Sequence, residues 1–142
     1  MSAAPHPAHT DEAKVSPYTL PDPVLKADWI FRGIGSGRGL LPAHSSANAL
    51  TFYTGDTFPN AKGDAFVALR GGWNATSKVG YCISRLLFEN GHPYGELKMV
   101  NFLKGGTEIL GRPVDVAQAP DGSLLFSDDF GNKVYRLKYV GK

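Results

Sequence analysis

The sequence has little cysteine, no long apolar run and no recognisable leader. Cys82 is its single cysteine among 142 residues, so no intrachain disulfide and no multi-cysteine metal site can form. No stretch approaches the roughly 20 consecutive apolar residues of a membrane-spanning helix. The N-terminus lacks the basic and apolar regions of a secretory signal. These absences predict no membrane span, and an intracellular chain unless it is a piece of a longer protein.

An excess of charge of either sign is also missing. The 15 Lys and Arg and 13 Asp and Glu are interspersed and give a net charge of +2, so we expect no nucleic-acid partner. What is abundant is glycine and proline, at 17 and 10 residues. Both are disfavoured inside helices, so the composition favours a turn-dense β fold. The apolar content of 42% is ordinary for one soluble domain.

Residues 1–22 contain Pro, Ala and His without periodicity, and we expect a disordered lead-in before a domain at 23–142. His6 and His9 have no carboxylate partner in a fixed element, so we expect no metal site there. The glycine-rich stretch 33–39 lacks the flanking strand and helix of a phosphate-binding loop. It is interpreted as a flexible loop.

Seven strand-like runs follow, separated by turns rich in Gly, Asn and Asp. The run at 65–70 is almost wholly apolar, which is typical of a central strand buried on both faces. The last run alternates, so that Tyr135, Leu137 and Tyr139 share an apolar face. The seven predicted strands cover residues 50–53, 65–70, 80–89, 96–103, 114–117, 124–126 and 134–140.

Four strands followed by three indicate the repeated antiparallel units of a β-propeller. We therefore predict an all-β fold of about two blades, the second lacking a fourth strand, which in a propeller comes from the other end of the chain. A closed propeller needs at least four blades. We expect the chain to be a fragment, a truncated product or a protein that self-associates through unpaired blade faces.

Several motifs occur in an order that carries a resemblance. Residues 42–140 resemble the C-terminal part of the glucose/sorbosone dehydrogenase family. These six-bladed β-propeller quinoproteins include pyrroloquinoline quinone (PQQ)-dependent sugar dehydrogenases and fungal pyranose dehydrogenases. The motifs are AHS at 43–45, FYTG at 52–55, GDAFVA at 63–68, GGWN at 71–74, GRPVDV at 111–116 and DGSLLFSDD at 121–129.

The resemblance implies oxidation of a sugar hydroxyl of an aldose, pyranose or sorbosone by hydride transfer to PQQ, followed by an external electron acceptor. It also implies an extracellular protein, which the sequon Asn74-Ala75-Thr76 fits. The family's general base and Ca²⁺ ligands lie in earlier blades. No catalytic residue is therefore assigned to this chain, and activity is expected only once the missing blades are supplied.

PQQ carries three carboxylates, so its pocket favours guanidinium groups that form bidentate bonds. By resemblance, Arg112 contacts the cofactor, although it could instead be a surface charge or pair with Asp115. Arg70 places a second cation at the end of the central strand. Trp73 is interpreted as a stacking platform or as an inter-blade plug. His44 is either a hydrogen-bonding pocket residue or a structural loop residue.

The chain also departs from the family pattern. Gly72 and Ala75 stand where many members have Ser and Arg, which removes two polar groups. An alternative function is therefore a non-catalytic, degenerate propeller module with a binding or structural role. A metal-dependent lactonase-type propeller is less favoured, because Asp128-Asp129 is the only acidic cluster and no matching Asn/Glu set accompanies it.

Overall fold

The computed structural model describes residues 41–42, 44–72 and 76–141. The predicted lead-in at 1–22, the glycine-rich loop at 33–39 and Trp73 lie outside these residues. Throughout the described ranges the chain forms strands, turns and loops without a helix. Accordingly, they contain no helix with the length and apolar character that crossing a membrane requires.

Within the described ranges, nine strands form three antiparallel sheets of four, two and three strands, with the orders β1-β2-β3-β4, β5-β6 and β7-β8-β9. The prediction of an all-β, unclosed, propeller-like arrangement is confirmed. The strands are β1 Ala47–Phe52, β2 Ala65–Leu69, β3 Cys82–Glu89, β4 His92–Asn101, β5 Leu103–Lys104, β6 Glu108–Ile109, β7 Pro113–Gln118, β8 Leu124–Asp128 and β9 Lys133–Leu137.

The predicted strands differ from the structure in several of their bounds and in one hairpin. Strand β4 begins at His92 rather than at residue 96, because Asn90 and Gly91 adopt positive φ angles of 52° and 78° and reverse the chain in a tight hairpin. The β5–β6 hairpin was not predicted. Its strands have two residues each, too few to show any periodicity.

Strand β2 is one of the two inner strands of the larger sheet, as its apolar run predicts. All five of its residues are buried. Phe66 and Ala68 belong to the core between the two larger sheets, whereas Val67 and its alternate neighbours belong to a second apolar cluster on the opposite face. The second sheet contributes Val116 and Leu124, among other residues, to the first of these cores. The larger sheets are therefore packed face to face.

Strand β9 shows the predicted alternation as far as Leu137, where it ends; Tyr139, predicted on the same apolar face, lies beyond the strand and is exposed. Tyr135 and Leu137 pack against the core, and Val134 points away from it with 71% of its surface exposed. Leu125 of β8 is also exposed. The three-stranded sheet thus has one face in the core and one face open to solvent, on which Leu125 and Val134 lie opposite Arg136 and Ser127.

A hydrogen-bonded link, the Tyr53 latch, holds the two sheets together. The buried Tyr53 hydroxyl donates to the Gly122 carbonyl at 2.8 Å and accepts from the Phe58 N–H at 3.2 Å. Beside it, the Thr54 N–H donates to the Gln118 side-chain oxygen at 2.8 Å. These bonds join the loop after β1 to the β7–β8 turn and fix how one sheet lies on the other.

Candidate functional site

Several strand ends meet at one end of the two larger sheets. In the first sheet, β1 and β3 begin there and β2 ends there, because neighbouring strands are antiparallel. In the second sheet, β7 begins and β8 ends at one end for the same reason. His44, Arg70, Tyr81, Arg112 and Asp129 each lie within a few residues of one of these strand ends. We call this group the strand-end cluster.

Arg70 follows β2 and forms an ion pair with Asp129, which follows β8. Its Nε and Nη2 both donate to Asp129 Oδ2, at 3.0 and 2.8 Å. The side chains of the pair are 35% and 45% exposed, so solvent reaches both groups. The sequence predicts a cation at this strand end but not its partner, which is 59 residues further along the chain.

Arg112 immediately precedes β7, and its guanidinium carbon lies 5.1 Å from the centre of the Tyr81 ring. This distance is that of a cation–π contact. Asp115 instead accepts a hydrogen bond from the N–H of its neighbour Val116, at 2.8 Å. The suggested pairing of Arg112 with Asp115 is not present, and within the described ranges no carboxylate forms an ion pair with Arg112.

The buried Asp128 side chain binds the backbone on both sides of the gap between β7 and β8, at Arg112 before β7 and at Phe130 after β8. It is 2% exposed, and its Oδ1 accepts from the N–H groups of Arg112 and Phe130, at 2.7 and 3.0 Å. On the other side, the Asp129 N–H donates to the Arg112 carbonyl at 3.3 Å. The end of β8 and the start of β7 are therefore held together by one backbone bond and by the Asp128 carboxylate, which accepts from the backbone of Arg112. Burial, and then the negative charge of Asp128, raises the pKa of the nearby Tyr135 phenol.

Tyr81 connects Arg112 to the loop that follows β2. Its ring is buried, and its hydroxyl donates to the Gly72 carbonyl. A Cβ on Gly71, whose φ is 99°, would lie 2.4 Å from the Tyr81 ring. A Cβ on Gly72 would lie 2.3 Å from the His44 carbonyl oxygen. The glycine that departs from the family pattern thus lies where the backbone at His44 leaves no room for a side chain.

His44 is exposed and has a φ of 62°. Its carbonyl oxygen is the atom nearest to Gly72. Three of the four residues proposed from the sequence, namely Arg70, Arg112 and His44, therefore lie at the same end of the sheets, and His44 meets the loop after β2 through its backbone carbonyl. Trp73, the fourth, lies outside the described residues.

Chemically, the strand-end cluster presents two guanidinium groups and one exposed carboxylate to solvent. Guanidinium groups bind carboxylates and phosphates through paired, charge-assisted hydrogen bonds, and Arg70 already holds a carboxylate. Across the part of the chain that the structure describes, no group of three or more His, Cys, Asp or Glu is arranged to hold a metal ion. The arrangement is suited to binding an organic anion.

Comparison with known proteins finds similar folds and one relative by sequence. No family model matches the chain. An uncharacterized protein from Borreliella burgdorferi is 41% identical over 104 residues, which cover 70% of this chain and 27% of that protein. Among solved structures, the holo form of the pyranose dehydrogenase PQQ domain from Coprinopsis cinerea has a TM-score of 0.53 and 23% identity, over 70% of this chain and 28% of that one.

A structure of a carbohydrate-active enzyme of family AA12 from Trichoderma reesei has a TM-score of 0.48 and 22% identity, over 66% of this chain and 25% of that one. The chain thus spans about a quarter of the length of the proteins it matches. The likeness to the Coprinopsis cinerea domain shows that the two β-sheets are arranged as in part of that domain.

Proposed function

We propose that this chain is part of a PQQ-dependent sugar dehydrogenase-like protein and that its strand-end cluster contributes cationic groups to the PQQ pocket. The observation that carries the proposal is that Arg70 and Arg112, which flank strands of two different sheets, both contact Asp129: Arg70 pairs with its carboxylate, and the Arg112 carbonyl accepts from its N–H. The shared fold supports it, since the solved relative is the PQQ domain of a pyranose dehydrogenase in its holo form.

The residues present fit the chemistry of PQQ, a flat molecule with three carboxylates. Arg70 presents two N–H groups to a carboxylate, and the Arg112 guanidinium lies over an aromatic ring without an ion-pair partner among the described residues. Arg70 and Arg112 would bind carboxylates, His44 would add a hydrogen bond, and Trp73 would stack on the ring system. When bound, PQQ supplies an electrophilic quinone that accepts a hydride.

The rest of the proposed activity belongs to a longer protein. The sugar substrate, the external electron acceptor, Ca²⁺ and an extracellular location are all proposed for that protein, and no residue of this chain is assigned a catalytic role. A role as a binding module without catalysis is the alternative. It would be favoured if the chain bound no quinone.

Titration of the chain with PQQ, followed by calorimetry and by the absorbance of the quinone, tests the proposal. We expect Arg112→Ala and Arg70→Ala each to weaken binding by about 10-fold or more, because a hydrogen bond to a charged group contributes about 1.5–3 kcal/mol. Lys62→Ala is the matched control, since Lys62 is an exposed cation that pairs with Asp56 outside the cluster. Equal affinities for the wild type and all three variants would contradict the proposal.

A further inference from the structure

Asp129 already occupies Arg70 in the way that a ligand carboxylate would. Both donors of Arg70 converge on the single oxygen Oδ2, at 3.0 and 2.8 Å. A side-on carboxylate pair would instead use one oxygen for each donor. The bond is therefore an end-on contact between exposed groups, which a better-oriented carboxylate can replace.

The backbone at Asp129 is held more firmly than its side chain. Its N–H donates to the Arg112 carbonyl at 3.3 Å, and the preceding residue, Asp128, is buried and accepts from the Arg112 N–H. The backbone therefore keeps Asp129 next to Arg112, while its carboxylate is paired with Arg70. A ligand anion at the cluster meets this negative charge as well as the two positive ones.

We propose that Asp129 is a built-in competitor that a carboxylate ligand must displace from Arg70, and that it makes the cluster selective for molecules with several carboxylates. A monocarboxylate would exchange one carboxylate for another at Arg70 and gain little. A polycarboxylate would also engage Arg112, and this second contact would offset the displacement of Asp129. The inference rests on the proposed function, because it concerns the same site.

The variant Asp129→Asn tests this directly, since it keeps the size of the side chain and the backbone N–H but removes the charge. Because exposed ion pairs contribute little to folding, we expect the variant to fold, and circular dichroism checks this. Asp129→Ala serves as a second variant if the amide fails to fold. Asp56→Asn is the matched control, because it changes the net charge equally at an exposed pair with Lys62.

Calorimetric titrations of the full 142-residue chain would use PQQ, benzene-1,3,5-tricarboxylate and acetate. We expect Asp129→Asn to bind both polycarboxylates about 10-fold more tightly than the wild type, or about 1.4 kcal/mol. Asp56→Asn should match the wild type. The double variant Arg70→Gln/Asp129→Asn should lose the gain, which shows that the gain acts through Arg70. Acetate should bind the wild type much more weakly than the tricarboxylate.

The outcomes separate this inference from the proposed function. If the wild type binds PQQ and Asp129→Asn binds it no more tightly, the competitor role is wrong and the proposed function stands. If Asp129→Asn binds the tricarboxylate more tightly while no variant binds PQQ, the competitor role stands and the proposed cofactor is wrong. If neither the wild type nor Asp129→Asn binds any of the three anions, the competitor role and the proposed function are both wrong.

Discussion

The family pattern and the structure of this chain lead to opposite expectations for the replacement of Gly72 by serine. The resemblance suggests that serine would restore a lost polar group. The structure predicts a collision instead, because a Cβ at this position would lie 2.3 Å from the His44 carbonyl oxygen, which is a backbone atom. Neither the loop before β1 nor the loop after β2 can accept the side chain without moving.

The size of the effect follows from two opposing contributions. Forcing an extra group into a packed site costs about 1–3 kcal/mol. Removing a glycine also restricts the unfolded chain, which offsets about 0.4–1 kcal/mol of that cost. We therefore expect Gly72→Ser to lower the free energy of unfolding by about 1–2 kcal/mol, which corresponds to a melting temperature lower by at least about 4 °C for a domain near 100 residues.

Thermal melts followed by circular dichroism measure the change. Gly72→Ala should melt at nearly the same temperature as Gly72→Ser, because the added Cβ rather than the hydroxyl causes the collision. Ala117→Ser is a control, since Ala117 is an exposed strand residue and should tolerate the hydroxyl. A serine variant at position 72 that melts at or above the wild-type temperature would show that the close approach to His44 is wrong.

Two further predictions concern the tyrosines. Tyr53→Phe should lower the free energy of unfolding by about 1–3 kcal/mol in denaturant melts, because it leaves the Gly122 carbonyl without its buried donor; an unchanged midpoint would contradict the latch. The pKa of Tyr135 is raised above 10.0, so its contribution to stability should be complete below pH 10 and disappear as the pH rises through the raised value. Comparing the alkaline melts of the wild type and Tyr135→Phe tests this, and identical profiles would refute it.

The approximate positions of the strands and the alternation of buried residues within them were predictable, because the local sequence determines both. The apolar run of β2 and the alternation of Tyr135 and Leu137 in β9 each follow from which faces are buried, and both are confirmed, whereas Tyr139 lies beyond the end of β9 and is exposed. The β5–β6 hairpin was missed because residues 101–103 continue the apolar pattern of β4, whereas the chain turns there and Leu103 pairs with Ile109. Turns inside an apolar run leave little trace in periodicity.

The site was less predictable because its contacts are distant in sequence. The resemblance identified Arg70 and Arg112, but it gave no indication that Asp129 pairs with Arg70 or that Tyr81 lies under Arg112. Asp129 was grouped with Asp128 as one acidic cluster. The structure separates them, since Asp128 is buried under the loop backbone and Asp129 is exposed. Asp128 is the last residue of β8 and Asp129 is the first residue after it, so one carboxylate is buried and the other is free to pair with Arg70.

The Tyr53 latch also has a consequence for the order of folding events. Tyr53 and Gly122 are 69 residues apart, whereas β3 and β4 are joined by a turn of two residues. Closing a long loop costs more chain entropy than closing a hairpin, so we expect the hairpins to form early and the latch to close late. Tyr53→Phe should then raise the unfolding rate and leave the refolding rate nearly unchanged, whereas slowed refolding would place the latch in the folding nucleus.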